Sequence, residues 1–231
     1  MASQSRPPVI AIEGLDGSGK SHTTRQAALH LSEAHPHHRI NVLDSDGVHV
    51  ISHGQIIESH FGFIEQLKPN DSMPKLGKVA LLGAFFGARR YTEHIGRSYG
   101  RTDLVLSVRD SLRIDPATYL AVLNQRMGHI SPQHRLEWLD HTTRLTPPDV
   151  VVYLNAETAQ VGSILAQRPN PDYFETPERL QTAHDELERV IYTHGQLFGS
   201  ALLAFEALQP QTIDNLTSEL ERFLGHTAVA A

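Results

Sequence analysis

The sequence predicts an α/β domain of three layers, in which a parallel sheet of about five strands lies between two layers of helices. Short β-branched runs alternate along the chain with longer segments whose apolar residues recur at helical spacing, and this alternation is typical of a parallel sheet covered on both faces. The chain has 231 residues, a common size for one such domain. We find no repeat, low-complexity tract or linker, so we expect a single domain over residues 1–231 with loose ends at 1–7 and 225–231.

Five short apolar runs carry the strand predictions. Each is rich in β-branched residues and is bounded by glycine, proline or aspartate, as buried parallel strands are. The fourth run, for example, is announced by Pro147-Pro148-Asp149, and the second ends in the turn-forming Asp44-Ser45-Asp46-Gly47. The predicted strands are Val9–Ile12, Ile40–Leu43, Leu104–Val108, Val150–Leu154 and Leu202–Phe205.

The helix predictions rest on apolar residues spaced three or four apart. In the first helix these are Ala27, Ala28 and Leu31, which lie on one face. The predicted helices are Lys20–Glu33, Pro74–Tyr99, Pro116–Gln125, Pro132–Arg144, Glu157–Gln167, Pro177–Leu197 and Thr212–Leu224. Residues 48–72 show no clear period and receive no assignment.

The composition excludes several classes of function. The net charge is −6, so there is no global basic field to attract nucleic acid or an anionic membrane. The absence of cysteine excludes disulfides, thiolate metal sites and cysteine nucleophiles. No apolar run approaches the roughly 18 residues of a membrane span, and no secretory signal precedes the first strand. We therefore expect a cytoplasmic protein that binds a small molecule.

The segment GLDGSGKS, Gly14 to Ser21, satisfies the pattern G-x-x-x-x-G-K-[ST] between a strand and a helix. Glycines let the backbone curl so that successive N–H groups point at phosphate oxygens, and the helix N-terminus adds partial positive charge. Lys20 would reach the β- and γ-phosphates and the Ser21 hydroxyl would bind Mg²⁺. We therefore predict ATP and Mg²⁺ as cofactors. The predicted cofactor-binding residues are Gly14, Asp16, Gly17, Ser18, Gly19, Lys20 and Ser21.

Such a P-loop occurs in kinases, switch GTPases and motor ATPases. The guanine-reading N-K-x-D motif of GTPases is absent from the sequence, as is the apolar strand ending in an acidic pair that motor ATPases carry. The size of the chain and the helical hairpin with a proline-rich loop after the fourth strand favour a kinase that acts on a small molecule.

The sequence resembles the thymidylate kinases, within the wider nucleoside and nucleoside monophosphate kinases. The P-loop with Asp16 inside it, the helix FGARRYTEHI and the strand PPDVVVYLNAE are similar to family motifs. The loop RPNPDYFE and the helical segment LERVIY resemble the family lid and the helix behind it. The matches follow one another in family order over about two thirds of the chain.

The resemblance implies a P-loop kinase fold with a short lid at about residues 167–176, and transfer of the γ-phosphoryl group of ATP to dTMP. It implies that Asp16 orients the acceptor sugar and that Arg90 and Arg109 hold the acceptor phosphate. Arg168 would close over the reacting phosphates as the lid arginine. Lys20 and Arg168 would then both be catalytic groups. Kinases of this type form dimers through helices beside the third strand, so the resemblance also implies a homodimer.

Three departures from the family lie on the acceptor side. Where the family has D-R-Y, this chain has SVRDS. Alignment by the strand matches Arg109 to the family arginine and leaves Val108 in the place of the acid. Alignment by the downstream tyrosine instead matches Asp110 to the acid and Tyr119 to the tyrosine. Under the second alignment Asp110 would be a catalytic acid and a magnesium ligand with Ser21. The family's R-E-P-G-G is replaced by DSDG, whose Asp44 and Asp46 we favour as turn residues over a magnesium or acceptor contact. Tyr173 replaces the lid's usual arginine.

These departures leave two alternatives open. The chain is either a related kinase with another acceptor, such as a deoxynucleoside, another nucleotide or a small molecule, or a nucleotide-binding regulator that has lost transfer. Intact Lys20 and Ser21 argue against the regulator, and Val108 in the place of the acid argues for it.

Overall fold

The fold is taken from a computed structural model, which describes residues 6–44, 47–61, 84, 87, 90–91, 94–97, 102–110, 112–123, 129–142, 145–168 and 175–229. A seven-stranded sheet runs through the molecule. Its strands are β1 (Val9–Gly14), β2 (Ile40–Asp44), β3 (Gly47–Ser52), β4 (Gln55–Phe61), β5 (Leu104–Val108), β6 (Val150–Asn155) and β7 (Ala201–Glu206). The described helices with complete bounds are α1 (Lys20–Ala34), α2 (Ile114–Leu123), α3 (Pro132–His141), α4 (Thr158–Leu165), α5 (Pro177–Phe198) and α6 (Thr212–Val229).

The strand order is β4-β3-β2-β5-β1-β6-β7. The adjacent strands β2, β5, β1, β6 and β7 pair with one another in parallel. β3 pairs antiparallel with β2, and β4 pairs antiparallel with β3. β1 lies between β5 and β6; the chain first moves to one side of it, to β2, and later to the other side, to β6. In open sheets of this kind ligands bind at the carboxyl ends of the strands beside such a switch point.

Helices cover both faces of the sheet because the central strands are apolar on both sides. In β6, Val150 and Val152 pack in a cluster with Leu31 of α1 and Leu220 of α6. The alternate residue Val151 packs on the opposite face with residues of α2, α3 and α5. This alternation makes three layers, as the sequence predicts.

The predicted fold class is confirmed, and the number and direction of the strands are corrected. All five predicted strands exist, but residues 47–61 add β3 and β4, so the sheet is mixed. β4 forms the edge of the sheet, and its residues 55–59 are exposed. It therefore lacks the alternation of a half-buried strand, which is why its sequence gives no strand signal.

The helix predictions agree with the structure to within a few residues wherever the chain is described. Of the predicted helix Pro74–Tyr99, residues 84, 87, 90–91 and 94–97 are helical and the others lie outside the described residues. The last helix continues to Val229, so a helix occupies most of the segment 225–231 that was expected to be loose. None of the described helices has the length and apolar character needed to cross a bilayer.

Candidate functional site

The candidate site lies at the carboxyl ends of β1, β2 and β5, where the P-loop joins β1 to α1. Gly17 and Gly19 have φ angles of 86° and 79°, in the left-handed region that favours glycine. A Cβ atom at Gly17 would lie 3.1 Å from the Leu165 side chain, so the loop also needs glycine for space. The Ser18 hydroxyl is buried and has no hydrogen-bond partner among the described residues. The backbone thus has the curl that a phosphate cradle requires.

Lys20 begins α1 and folds its side chain back over the loop. Its Nζ donates to the Gly14 carbonyl at 2.7 Å and also to the Leu15 carbonyl. Burial lowers the pKa of Lys20 to about 7, and the nearby charge of Arg109 acts in the same direction. An anionic phosphate in the loop would favour the charged form of this amine and offer it a better acceptor than two carbonyls.

Ser21 and Asp44 bring two oxygen ligands together beside the loop. The Ser21 hydroxyl donates to Asp44 Oδ1 at 3.0 Å, and Arg25 donates to Asp44 Oδ2 at 3.1 Å. Mg²⁺ is usually held by one or two protein oxygens together with substrate phosphates, so these residues fit the ion. Asp44 is buried at the end of β2 and contacts Ser21, which fits a place in the candidate site better than a plain turn. Asp46 lies outside the described residues.

Arg109 holds together a cluster of four side chains (Asp16, Arg109, Asp115 and Tyr119). Its guanidinium pairs with Asp16 and donates to Asp115 Oδ1 at 2.8 Å and to the Tyr119 hydroxyl at 3.0 Å. Tyr119 in turn donates to Asp16 Oδ2 at 3.1 Å. Burial alone would lower the pKa of Arg109, but Asp16, Tyr119 and Asp115 outweigh burial and raise it. Arg109 is therefore permanently charged.

The backbone of Arg109 is unusual. Its φ is 85°, a left-handed conformation that is rare for a residue with a long side chain. Its N–H donates to the Ile12 carbonyl at 3.0 Å, and its carbonyl accepts from the Ser107 hydroxyl at 2.8 Å. These bonds fix the turn that follows β5. Both predicted residues, Arg109 and Tyr119, enter the site, while Val108 packs in the core.

Asp110 does not reach the metal side of the site. Its side chain is 0 % exposed; Oδ1 accepts from the Leu112 N–H at 3.0 Å and Oδ2 lies 3.6 Å from His194 Nε2. Burial raises the pKa of Asp110. The carboxylate faces α5 in the protein interior, so it is not placed to bind an ion at Ser21, and the predicted role of Asp110 as a metal ligand does not fit this arrangement.

A second buried acid, Glu13, lies directly before the P-loop. It accepts a hydrogen bond from the Asp110 N–H. Burial raises the pKa of Glu13 to about 8, and the negative charge of Asp115 adds to the shift. The Glu13 carboxyl group beside the Arg109 cluster is therefore largely protonated at neutral pH.

The two remaining predicted arginines line a pocket or pair with an acid outside the Arg109 cluster. Arg90 lines an open pocket of about 470 Å³ together with Gly87, Tyr91, His94, His141, Thr142 and Leu145. Arg168 is 44 % exposed and pairs with Glu175, which links the two described ends of the predicted lid. Residues 169–174, which include Tyr173, lie outside the described residues. The roles of Arg90 and Arg168 stay predictions.

Sequence reasoning missed four residues of the site: Glu13, Arg25, His49 and Asp115. Asp115 had a signal, because it lies one helical turn before Tyr119 and so on the same face of α2. Arg25 likewise follows Ser21 by one turn on α1. Glu13 stands in an otherwise apolar strand, where a charge needs a reason. His49, whose Nε2 lies 3.3 Å from Arg25 Nη2, belongs to β3, which the sequence did not predict.

No family model matches this chain, and no curated protein matches it either. Solved structures do match. The structure of deoxyadenosine kinase from M. mycoides with products dCMP and a flexible dCDP bound aligns with a TM-score of 0.59 and 15 % identity, over 95 % of this chain and 99 % of that one. The structure of deoxyadenosine kinase from M. mycoides with bound dATP aligns with a TM-score of 0.54 and 13 % identity, over 94 % of this chain and 99 % of that one. Over nearly its whole length, this chain has the α/β fold of these kinases.

Proposed function

We propose that this protein transfers the γ-phosphoryl group of ATP to a hydroxyl group of a deoxynucleoside. The donor half of the proposal rests on the P-loop, where Lys20 and the left-handed Gly17 and Gly19 surround the place of the phosphates. Ser21 and Asp44 would hold Mg²⁺, which would neutralise the phosphate charge that develops during transfer.

One observation favours a hydroxyl over a phosphate as the recognised acceptor group. Arg109 is already engaged by the carboxylates of Asp16 and Asp115, and Arg25, beside Ser21, is engaged by that of Asp44. A dianionic acceptor phosphate would have to approach these three acids. A sugar hydroxyl, in contrast, can donate a hydrogen bond to a carboxylate. The fold shared with deoxyadenosine kinases supports this acceptor class.

The proposed reaction divides its work among the residues at this edge of the sheet. The acceptor oxygen forms a bond to the γ-phosphorus while the bond from that phosphorus to the bridging oxygen of ADP breaks. The Asp16 carboxylate accepts the proton of the hydroxyl. Lys20 neutralises charge on the transferred group, and the Arg109 cluster holds Asp16 in place.

The proposal is tested by a coupled assay of ADP formation with ATP and a panel of deoxynucleosides and their 5′-monophosphates. We expect turnover with at least one deoxynucleoside, and we expect Lys20→Ala to abolish it, since a lost phosphoryl clamp costs several kcal/mol of barrier, about 3 or more. ATP binding without turnover for any acceptor on the panel would contradict the proposal and favour a nucleotide-binding regulator.

A second candidate acceptor is dTMP, as the resemblance to thymidylate kinases implies. The contact of Asp16, Arg109 and Tyr119 favours it, because the resemblance matches Asp16 to the family's P-loop acid and, under the two alternative alignments, either Arg109 to its arginine or Tyr119 to its tyrosine. Arg90 would then supply the charge for the acceptor phosphate. Turnover with dTMP and with no deoxynucleoside would establish this candidate against the first, and Arg90→Ala should then raise the KM for dTMP.

A further inference from the structure

A chain of hydrogen bonds leads from the P-loop helix into the hairpin formed by β3 and β4. Ser21 and Arg25, one turn apart on α1, donate to the two oxygens of Asp44 at 3.0 and 3.1 Å. Arg25 Nη2 also lies 3.3 Å from His49 Nε2 on β3, and His49 Nδ1 lies 3.0 Å from the Ser59 hydroxyl on β4. These hydrogen bonds thus connect the neighbouring strands β2, β3 and β4 with the helix α1.

The chemistry of Arg25 decides which nitrogen of His49 carries a proton. A guanidinium has only donors and stays charged, so the His49 Nε2 that it meets must be an unprotonated acceptor. The proton of the neutral ring then lies on Nδ1, which donates to the Ser59 hydroxyl. The two hydrogens of Arg25 Nη2 suffice for one contact to Asp44 Oδ2 and one to His49 Nε2.

The surroundings of the ring fit this arrangement of one donor nitrogen and one acceptor nitrogen. His49 is buried, and its neighbours include the Arg25 cation from α1, the Asp44 carboxylate beyond it from β2, and the Ser59 hydroxyl from β4. A proton on Nε2 would place an N–H donor against the donor nitrogen of Arg25, with no hydrogen bond between them.

We propose that His49, held as the neutral Nδ1–H tautomer by Ser59, is a positioning residue that orients the Asp44 carboxylate through Arg25. This deepens the proposed function and rests on it in one respect, because it takes Ser21 and Asp44 as the ligands of Mg²⁺. Residues that fix the ligands of a metal in this way typically change metal affinity by about 10- to 100-fold when they are removed. The hairpin of β3 and β4 is then part of the donor site.

The tautomer is tested on the nucleotide-free protein by ¹⁵N NMR of the histidine rings, assigned with His49→Gln. We expect His49 at pH 7.5 to show a protonated Nδ1 and an unprotonated Nε2, and Ser59→Ala to shift part of the population to the other tautomer. A protonated Nε2 in the unchanged protein would overturn the proposal. This measurement needs no turnover, so it stands even where the proposed reaction fails.

The positioning role is tested by calorimetry of ATP binding with Mg²⁺ and with a chelator in its place. We expect His49→Phe to weaken the Mg²⁺-dependent part of the affinity by about tenfold and to leave the Mg²⁺-free affinity within about twofold. In His49→Gln the amide oxygen replaces Nε2 as an acceptor for Arg25, so this variant should retain most of the Mg²⁺ dependence. His30→Gln, on the exposed face of α1, is the matched control.

Three outcomes would overturn the positioning role. They are unchanged Mg²⁺ dependence in a folded His49→Phe protein, equal loss with and without Mg²⁺, and equal loss in the Gln and Phe variants. If the His49→Phe substitution prevents folding, Ser59→Ala takes its place, with a smaller loss of Mg²⁺ dependence expected in proportion to its shift in tautomer. The normal tautomer together with normal Mg²⁺ dependence, but with no acceptor phosphorylated, would refute the proposed reaction alone.

Discussion

Arg109 combines a strained backbone with a side chain that contacts Asp16, Asp115 and Tyr119. Its left-handed φ of 85° turns the chain directly after β5, and the turn points the guanidinium at Asp16, Asp115 and Tyr119. A non-glycine residue in this region costs of order 1 kcal/mol or more. The ion pairs with two acids offset that cost, so the conformation and the contacts depend on each other.

We expect Arg109→Lys to separate acceptor binding from donor binding. A lysine has no planar fork and cannot serve two carboxylates and a hydroxyl at once. The KM for the acceptor should rise by about tenfold, a loss of roughly 1.4 kcal/mol, while the KM for ATP changes by less than about twofold. Steady-state kinetics measure both, with the exposed Arg222→Lys as control. Equal increases in both constants would contradict a role confined to the acceptor.

We expect the protein to take up a proton at Lys20 when it binds nucleotide. The pKa of Lys20 is lowered to about 7 by burial, so at pH 8 most of the amine is neutral in the free protein. A bound phosphate favours the charged amine, and the complex should gain up to about one proton at pH 8 and less at pH 6. Calorimetry in buffers of different ionisation enthalpy measures this uptake. Lys20→Arg is charged throughout, so a similar uptake in that variant would exclude Lys20 as the source.

At the residue scale, the sequence predicted the cradle better than its surroundings. The P-loop residues follow a pattern that is set by backbone geometry, so their letters alone locate them. The orientation of Asp110 could not be predicted, because the direction of a side chain after a strand depends on local backbone angles, such as the left-handed φ of Arg109, that no sequence pattern reports. Glu13 and Asp115 depend on contacts between separate elements, and a single sequence does not show such contacts.

Among the elements, the hairpin of β3 and β4 is the unexpected one. Its two connecting residues, His53 and Gly54, both have positive φ angles, 53° and 67°, as a type I′ turn requires. The usual sequence of such a turn is Asn-Gly or Asp-Gly, so His-Gly gave only a weak signal. The Gly54 N–H donates to the Ser32 hydroxyl at 3.0 Å, which ties the turn to the end of α1.

We expect His53→Asn to stabilise the protein. Asparagine tolerates the left-handed conformation better than histidine, and the substitution restores the favoured Asn-Gly pair. The free energy of unfolding, measured with urea, should increase by about 0.5 kcal/mol.

Gly54→Ala is the matched variant with the opposite sign. It adds a Cβ atom at positive φ and 3.3 Å from the Glu33 Cβ, so it should destabilise by about 1 kcal/mol. The turn assignment would be wrong if the Asn variant were the less stable of the two.

For the whole molecule, the three-layer architecture followed from the sequence because it depends on patterns that are summed over many residues. The strand order did not, since β5 enters between β2 and β1 although it comes later in the chain. A homodimer stays a prediction.

Stability toward acid is a property of the whole molecule that one buried ring influences. His194 on α5 is 0 % exposed, and neither of its ring nitrogens has a hydrogen-bond partner among the described residues. Burial lowers its pKa to about 3, with the charge of Arg113 adding to the shift. The unfolded chain, with a histidine pKa near 6.5, therefore binds more protons than the folded protein between about pH 6.5 and 3.

We expect the free energy of unfolding to fall as the pH is lowered through this window, with a contribution from His194 of roughly 1 kcal/mol per pH unit. His194→Leu should remove that contribution, so its stability should depend less on pH between 7 and 4. Asp110 acts in the opposite sense because its pKa is raised. The test therefore compares the pH dependence of the unfolding free energy in the variant with that in the unchanged protein. The exposed His30→Gln should keep the original slope, and an equal slope in His194→Leu would refute the assignment.

The position of β5 has a consequence for how the chain folds as it is made. β2, β3 and β4 are neighbours in the chain and pair through short connections, so this half of the sheet can form early and locally. β1 is synthesised first, yet its partners lie far along the chain, with Val9 beside Val105. β5 pairs with β2 on one side and β1 on the other. Until the ribosome has released β5, no strand joins β2, β3 and β4 to β1. The candidate site at the ends of β1, β2 and β5 is therefore incomplete until then.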